Sequence, residues 1–208
     1  MDRKENILKR FIVYMAILTF VMFTIWAFIK SFKNRPPGDY HTEVCDNRLK
    51  DKQYEKALKA ANDALEKTPN HRGAIMCKAL IFISEKKYSL ATEELSYLIN
   101  FLENNIEDDD KTGIGTLAAA YANRGIIKDR NKNYKEALKD YIKALGIDHE
   151  AVAGPGLGTI ILNYKFKSSS VRERALYLND QLQLPENERV LSIKELDEGQ
   201  VMHKPGKL

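Results

Sequence analysis

The chain has 208 residues, 44% of them hydrophobic and 30% charged, which suits one folded domain of ordinary size and argues against a disordered chain. Two cysteines are too few for a disulfide framework, and no Cys/His cluster has zinc-site spacing. The net charge of +4 is concentrated in residues 1–35, which carry +5, whereas the rest of the chain carries −1. The basic region is explained by lipid headgroups, so we expect no nucleic-acid partner.

The first element is a run of nineteen residues, 11–29, without a charge, a proline or a glycine. As a helix it would span roughly 28 Å, close to the hydrocarbon thickness of a bilayer. It lacks the small-residue cleavage pattern of a signal peptide and the polar face of a core helix. The sequence therefore predicts one uncleaved transmembrane helix. Its expected interfacial anchors are Tyr14, Trp26, Lys30 and Lys33.

The orientation of this helix is only weakly encoded. Four basic residues precede the run and three follow it closely, so the positive-inside rule gives little asymmetry. The ten-residue tail, 1–10, is expected to stay in the cytoplasm, which places the large domain on the non-cytoplasmic side. A linker over 30–38 contains Pro36 and Pro37, which make it stiff and keep the domain close to the bilayer.

Residues 39–151 contain an internal repeat. Similar segments begin at Tyr54, at Tyr88 thirty-four residues later, and at Tyr134 after a further 46 residues, which is the same period plus an insertion of 12. Small or apolar residues follow each tyrosine at offsets of 3, 7 and 10, the spacing of one helix face. A second helix precedes each segment, with a small residue nine positions before the tyrosine. These small residues are Cys45, Ala79 and Gly125.

This pattern resembles the tetratricopeptide repeat (TPR), a 34-residue helix–turn–helix unit. The motifs that carry the resemblance are Tyr54-x-x-Ala57 with Ala64-Leu65 and Pro69, and Tyr134-x-x-Ala137 with Ala144-Leu145. The resemblance implies repeats at 38–71, 72–105 and 118–151 with an acidic insertion at about 104–116. The predicted fold class is all-α: the transmembrane helix, then a right-handed α-solenoid of about three TPR-like helix pairs, then C-terminal capping helices.

The capping helices are expected within residues 152–184. One would begin near Pro155 and run to about Tyr164. The other is predicted over Val171–Leu184, because Ser170 and Glu173 have capping-box spacing and an apolar stripe follows. Residues 185–208 are expected to form an irregular tail that is either docked or free to bind something.

No chemistry-bearing constellation is evident in the sequence. The four histidines are scattered, no nucleophile signature occurs, and the acidic run 107–110 lacks the order of a calcium loop. We therefore expect no enzymatic activity, no cofactor and no metal. Cys45 and Cys77 are interpreted as small buried apolar residues, with a disulfide between them as the alternative in an oxidising compartment.

The resemblance also implies a concave groove, lined by the first helix of each repeat, that holds a polypeptide. Some members of the family grip a chaperone's C-terminal carboxylate with Lys, Asn and Arg residues, and no such clamp is evident here. An open apolar groove would be an unusually large exposed patch, so it should hold a partner or the chain's own residues 171–208. By alignment, the predicted groove positions are Thr42, Asp46, Leu49, Met76, Leu80, Ile83, Ala122, Ile126 and Asp129.

The architecture is similar to that of bacterial inner-membrane TPR proteins. It favours a non-catalytic, membrane-anchored adaptor or assembly factor that holds a membrane-associated protein or peptide near the bilayer. The alternative is a membrane-tethered holding chaperone or targeting receptor for unfolded or presequence-bearing chains. That alternative requires an open apolar groove and promiscuous binding, whereas an adaptor binds one partner in fixed stoichiometry.

Overall fold

The computed structural model describes residues 3–33, 36–149, 152 and 170–193. Within these residues there are eight α-helices and no strand, which confirms the all-α class. The first helix, α1, spans Arg3–Lys33. The helices that follow are α2 (Asp39–Lys50), α3 (Tyr54–Lys67), α4 (Arg72–Ser84), α5 (Tyr88–Asn105), α6 (Lys111–Arg130), α7 (Tyr134–Ile147) and α8 (Val171–Gln183), and a short 3-10 turn covers Glu186–Glu188. The capping helix expected from Pro155 lies outside the described residues.

Helices α2 to α7 form three consecutive pairs. Each helix packs on its pair partner, the second helix of one pair packs on the first helix of the next, and α2, α4 and α6 lie side by side. This is the stacking of a helical-repeat solenoid, in which neighbouring repeats bury faces that no single pair can bury alone. The predicted repeat face is confirmed, because Ala57, Ala91 and Ala137 are all fully buried.

In the third repeat, a large side chain on the second helix faces a glycine on the first helix where the two helices cross. Tyr141 occupies the position of Ala61 and Leu95 in the earlier repeats and is fully buried. Gly125 lies opposite on α6, where an added Cβ would be 2.7 Å from the Tyr141 ring. The small residue at this place in each repeat therefore sets how closely the paired helices approach, and in the third repeat only glycine leaves room for the ring.

The 12 additional residues before the third repeat are taken up mostly by longer helices. Helix α5 has 18 residues and α6 has 20, so the connection covers only residues 106–110. The acidic insertion predicted at about 104–116 therefore covers the end of α5, this connection and the start of α6, because Asp110 already caps α6. Its side chain accepts a hydrogen bond from the Gly113 backbone N–H at 2.8 Å, which is an N-cap.

Helix α8 agrees with its sequence signals. Ser170 and Glu173 form the predicted capping box, and the helix ends at Gln183, one residue before the expected end. Residues 184–193 then return along α8, where the Val190 backbone N–H donates to Gln181 Oε1 at 2.7 Å. The described part of the tail is therefore docked.

Helix α1 extends beyond the predicted run at both ends. Its stretch Asn6–Lys30 is long and apolar enough to cross a membrane, and every side chain from residue 6 to residue 30 is exposed. The Thr19 hydroxyl donates to the Met15 carbonyl at 2.8 Å, so this polar group is satisfied within the helix. The Lys30 ammonium lies 5.1 Å from the centre of the Trp26 ring, a cation–π contact at the end of the apolar stretch.

Candidate partner-binding cavity

A cavity of about 810 Å³ lies where the first helices of the three repeats begin. Helix α2 and the starts of α4 and α6 contribute walls of the cavity, and the end of α5 contributes a further part of the lining, called the floor below. Pro36, in the segment between α1 and α2, is also part of the wall. The cavity is therefore built by all three repeats close to the end of α1.

His71 connects two walls of the cavity. Its Nδ1 accepts a hydrogen bond from the Ala74 backbone N–H at 3.3 Å and so caps the N-terminus of α4. Because Nδ1 is the acceptor, Nε2 carries the proton and donates to Asp39 Oδ1 at 2.9 Å. The His71 side chain therefore links α2 to the start of α4.

Gly38 permits this link. It has a positive φ of 98°, and an added Cβ would lie 2.9 Å from the His71 ring. Any other residue would be strained in this left-handed backbone and would also displace the imidazole. The entry into α2 and the position of His71 are thus set together.

Arg72 and Asp110 connect the start of α4 to the start of α6. Arg72 Nη1 donates to Asp110 Oδ2, while the other carboxylate oxygen caps α6. The hydrogen bond from Arg72 lowers the pKa of the Asp110 carboxyl, and this effect exceeds the opposing effect of burial. Asp110 is therefore an ionised carboxylate whose charge is offset by that of Arg72.

The cavity combines an acidic lining with an apolar floor. Among the described residues of the lining, the carboxylates are those of Asp39, Glu43, Asp46 and Asp110, and Arg72 supplies a guanidinium. The floor is apolar and consists of Phe101, Leu102 and Ile106. Among the residues that the structure describes, no group of three or more His, Cys, Asp and Glu side chains could hold a metal ion.

Of the nine predicted groove positions, only two line this cavity, namely Thr42 and Asp46. The predicted positions on α4 are buried, with Met76 1%, Leu80 4% and Ile83 2% exposed. They are covered because α4 lies between α2 and α6 and also packs on α3 and α5. These three residues form core and not an open apolar groove.

The other four predicted positions are also occupied by packing within the chain. Ala122 and Ile126 of α6 are buried in the main core, and Leu49 of α2 packs against it. Asp129 is 5% exposed and forms an ion pair with Arg174 of α8. The sequence contains a sign of this ion pair that the prediction did not use. Arg174 falls on the apolar stripe of α8, where an unpaired charge would be costly, so a buried acidic partner could have been expected.

The row of acidic residues on α2 could also have been recognised from the sequence. Asp39, Glu43 and Asp46 follow one another at spacings of 4 and 3, so they lie on one face of α2. The contributions of His71 and Asp110 could not be read in this way, because their positions depend on how α4 and α6 pack against α2.

Cys45 of α2 and Cys77 of α4 form a disulfide with a Cα–Cα distance of 6.5 Å. Both residues are fully buried, in a small cluster with Ala57, Ala61 and Ile81. Their burial was predicted, but their interpretation as simple apolar residues is replaced by the alternative of a covalent link. The bond joins the first helices of the first two repeats.

The helix pairs define the class of this domain as a TPR-like helical repeat. No protein-family model matches the chain, and no curated protein matches it. Among solved structures it is similar to the TPR domain of Arabidopsis OM64, with 17% identity over 66% of this chain and 95% of that chain and a TM-score of 0.45. It is also similar to the first TPR of Spaghetti (RPAP3) bound to the HSP90 peptide SRMEEVD, with 16% identity over 62% of this chain and 89% of that chain and a TM-score of 0.44.

Proposed function

We propose that this chain is a non-catalytic, membrane-anchored adaptor that holds a segment of a partner protein close to the bilayer. The observation that carries the proposal is the position of the cavity, because Pro36 in its wall lies only three residues after Lys33, the last residue of α1. Three residues reach at most about 10 Å. A segment bound there would lie near the membrane, and anchoring raises the effective concentration of the site for membrane-associated partners.

The anchoring role of α1 is supported by its exposed apolar surface. Large apolar side chains such as Phe20 and Phe23 are 70% and 59% exposed, so most of their surface is uncovered in the described part of the chain. Removing such a surface from water is strongly favourable, and a bilayer provides the matching thickness. The bacterial inner membrane remains the membrane that the resemblance suggests.

The disulfide supports placing the domain on the non-cytoplasmic side, because such bonds persist in oxidising compartments. A thiol-trapping experiment tests this placement. Cells are lysed in a denaturant that contains a maleimide, so that buried free thiols also react, and the mass of the protein is measured before and after reduction. Protection of Cys45 and Cys77 from the maleimide is expected, whereas alkylation of both would place the domain in a reducing compartment.

The adaptor is favoured over the holding chaperone by the character of the surface. A chaperone for unfolded chains needs an open apolar groove, and the apolar positions predicted for that groove are buried or packed against the core. The cavity that is present has a charged lining of defined geometry. Such a site suits one partner segment better than many unrelated ones.

Photo-crosslinking in native membranes tests the function. A photoreactive amino acid replaces the exposed Thr112 in the cavity wall, and the control replaces the exposed Lys59 on α3, outside the cavity. One product of fixed mass from position 112 but not from position 59 is expected. A broad distribution of products would support the chaperone instead. Absence of a product specific to position 112 would contradict both functions.

A further inference from the structure

We infer that the turns inside the three repeats form a second interaction surface, which binds an acidic segment of another polypeptide. This surface, called the turn edge below, consists of residues 50–52, 85–87 and 130–132. Because α2, α4 and α6 are the first helices of successive repeats and lie side by side, the turns at their ends follow one edge of the domain. The cavity lies where these helices begin, so the turn edge is a separate site and goes beyond the proposed function.

Each of the three turns contains a lysine in the left-handed backbone conformation. Lys52, Lys86 and Lys132 have φ values of 58°, 60° and 64°, and they are the only non-glycine residues with a positive φ in the described part of the chain. In every turn the N–H of this lysine donates to the carbonyl three residues earlier, and the next N–H donates to the carbonyl five residues before itself. This is the Schellman motif that ends a helix. Three equivalent turns therefore hold three equivalent lysine side chains.

The local structure does not favour lysine at these positions. Glycine is the usual residue in this motif, because a Cβ in the left-handed conformation crowds the backbone. A cation near a helix C-terminus is favourable, but Lys50 and Arg130 already supply one in the last turns of α2 and α6. A strained position that is filled by the same charged residue in all three repeats points to a role for the side chain outside the fold.

The turn edge is cationic although the domain as a whole is not. Its nine residues include six basic and two acidic ones, whereas residues 36–208 together carry −1. Among the described residues, Glu85 is paired with Lys87 at 3.0 Å, so the other five basic side chains remain against one carboxylate, that of Asp51. These five side chains are all exposed, namely Lys50, Lys52, Lys86, Arg130 and Lys132. A surface with one sign of charge attracts ligands of the opposite sign and repels those of its own.

The position and length of the turn edge favour a polypeptide over a bilayer. Helix α2 has 12 residues and is about 18 Å long, so the turn edge lies about that far along α2 from the end that is joined to α1. Packed helices are about 8–10 Å apart, so the three turns span about 20 Å, the length of about six extended residues. An extended segment with acidic side chains along it can therefore contact all three turns.

The test measures peptide binding by the full chain in nanodiscs of neutral lipid, using fluorescence anisotropy at low ionic strength. The probes are labelled peptides of sequence EGSEGSEGSE and KGSKGSKGSK with blocked termini. The acidic peptide should bind at least about fivefold more tightly than the basic one, and its affinity should fall as salt rises. Equal or tighter binding of the basic peptide would overturn the inference.

A triple glycine variant separates a binding role of the lysines from a structural one. Lys52→Gly, Lys86→Gly and Lys132→Gly together remove three charges and also relieve the left-handed backbone. The acidic peptide should bind to this variant at least about fivefold more weakly than to the parent. The melting temperature of the variant should be equal to or above that of the parent, and a lower one would show that the lysines serve the fold.

A matched control removes the same charge elsewhere. Lys59, Lys111 and Lys143 are exposed and lie outside the turn edge. The variant with all three replaced by glutamine should weaken binding of the acidic peptide less than about twofold. Equal effects of the glycine and control variants would show that binding follows total charge, which would overturn the inference.

Two further outcomes would assign the turn edge to another occupant and overturn the inference. Loss of peptide binding in nanodiscs with about 30% anionic lipid would identify the bilayer as that occupant. The chain's own tail is tested by Glu195→Gln, Asp197→Asn and Glu198→Gln in one variant. A more than about tenfold gain in affinity of this variant for the acidic peptide would identify the tail as the occupant.

Discussion

Asp129 of α6 and Arg174 of α8 form a buried two-point ion pair, in which Nε and Nη2 of the arginine each donate to a different carboxylate oxygen at 2.7 Å. The Tyr141 hydroxyl of α7 donates to the same carboxylate at 3.0 Å. Arg174 also donates to the Leu191 carbonyl at 2.9 Å. The ion pair thus joins the last repeat, the capping helix and the returning tail.

Removing only the arginine of this pair should strongly destabilise the domain. Arg174→Met leaves the Asp129 carboxylate buried without its cation and is expected to lower the free energy of unfolding by about 3–5 kcal/mol. Urea denaturation followed by circular dichroism measures the change. The double variant with Asp129→Leu removes both charges and should regain most of the loss. A single variant within about 1 kcal/mol of the parent would contradict the structural role assigned to the pair.

Two glycines in paired helices should respond in opposite ways to alanine. Gly125→Ala places a Cβ 2.7 Å from the Tyr141 ring and should cost about 1–3 kcal/mol, because the packed ring must move. Gly146→Ala meets no atom within 4 Å and should stabilise α7 by about 0.5–1 kcal/mol, since alanine restricts the unfolded chain. Thermal unfolding of both variants compares them, and a loss at position 146 as large as at position 125 would contradict the packing argument.

Loss of the disulfide should destabilise the domain without changing its fold. The bond closes a loop between residues 32 positions apart, for which the chain-entropy estimate is about 3–4 kcal/mol. The variant with both Cys45→Ala and Cys77→Ala should retain its helical spectrum and lose stability of this order in urea. A reducing agent should have a comparable effect on the parent protein and none on the variant, and an equal effect on both would show that the bond is not its target.

The hydroxyl of Tyr121 should lose its proton at a higher pH than the hydroxyl of an ordinary tyrosine. Burial raises the pKa of Tyr121 to about 12, and the hydrogen bond that it donates to Glu103 Oε1 at 2.6 Å acts in the same direction. Since an unfolded tyrosine has a pKa of about 10, only the unfolded state loses this proton between pH 10 and pH 12. The stability contributed by this group is therefore complete below pH 10 and is lost as the pH rises through 12.

Carbon-13 NMR of ring-labelled tyrosine measures this titration, with Tyr121→Phe to assign the resonance. Glu103→Gln should lower the pKa of Tyr121, because it replaces the carboxylate by a neutral acceptor. An unchanged titration in Glu103→Gln would show that Glu103 does not contribute to the shift.

The repeats were predictable because their signal is local and is repeated three times. The spacing of the tyrosines and of the small residues that face them indicates the helix pairs directly. The capping-box spacing of Ser170 and Glu173 indicates the start of α8. The cavity was not predictable in the same way, because it depends on which faces of α4 remain exposed after its four neighbouring helices have packed. The pattern of a single repeat predicts that Met76 and Ile83 are groove positions, but the surrounding helices bury both of them.

The disulfide also determines how the domain would carry a mechanical load. A partner pulling against α1 would apply tension at the start of α2, and the covalent bond would transmit that tension from Cys45 directly to Cys77. The loop between them, which contains all of α3, would be shielded from extension and would withhold about 110 Å of contour length. Stretching an oxidised molecule should therefore yield a shorter fully extended chain than stretching a reduced one.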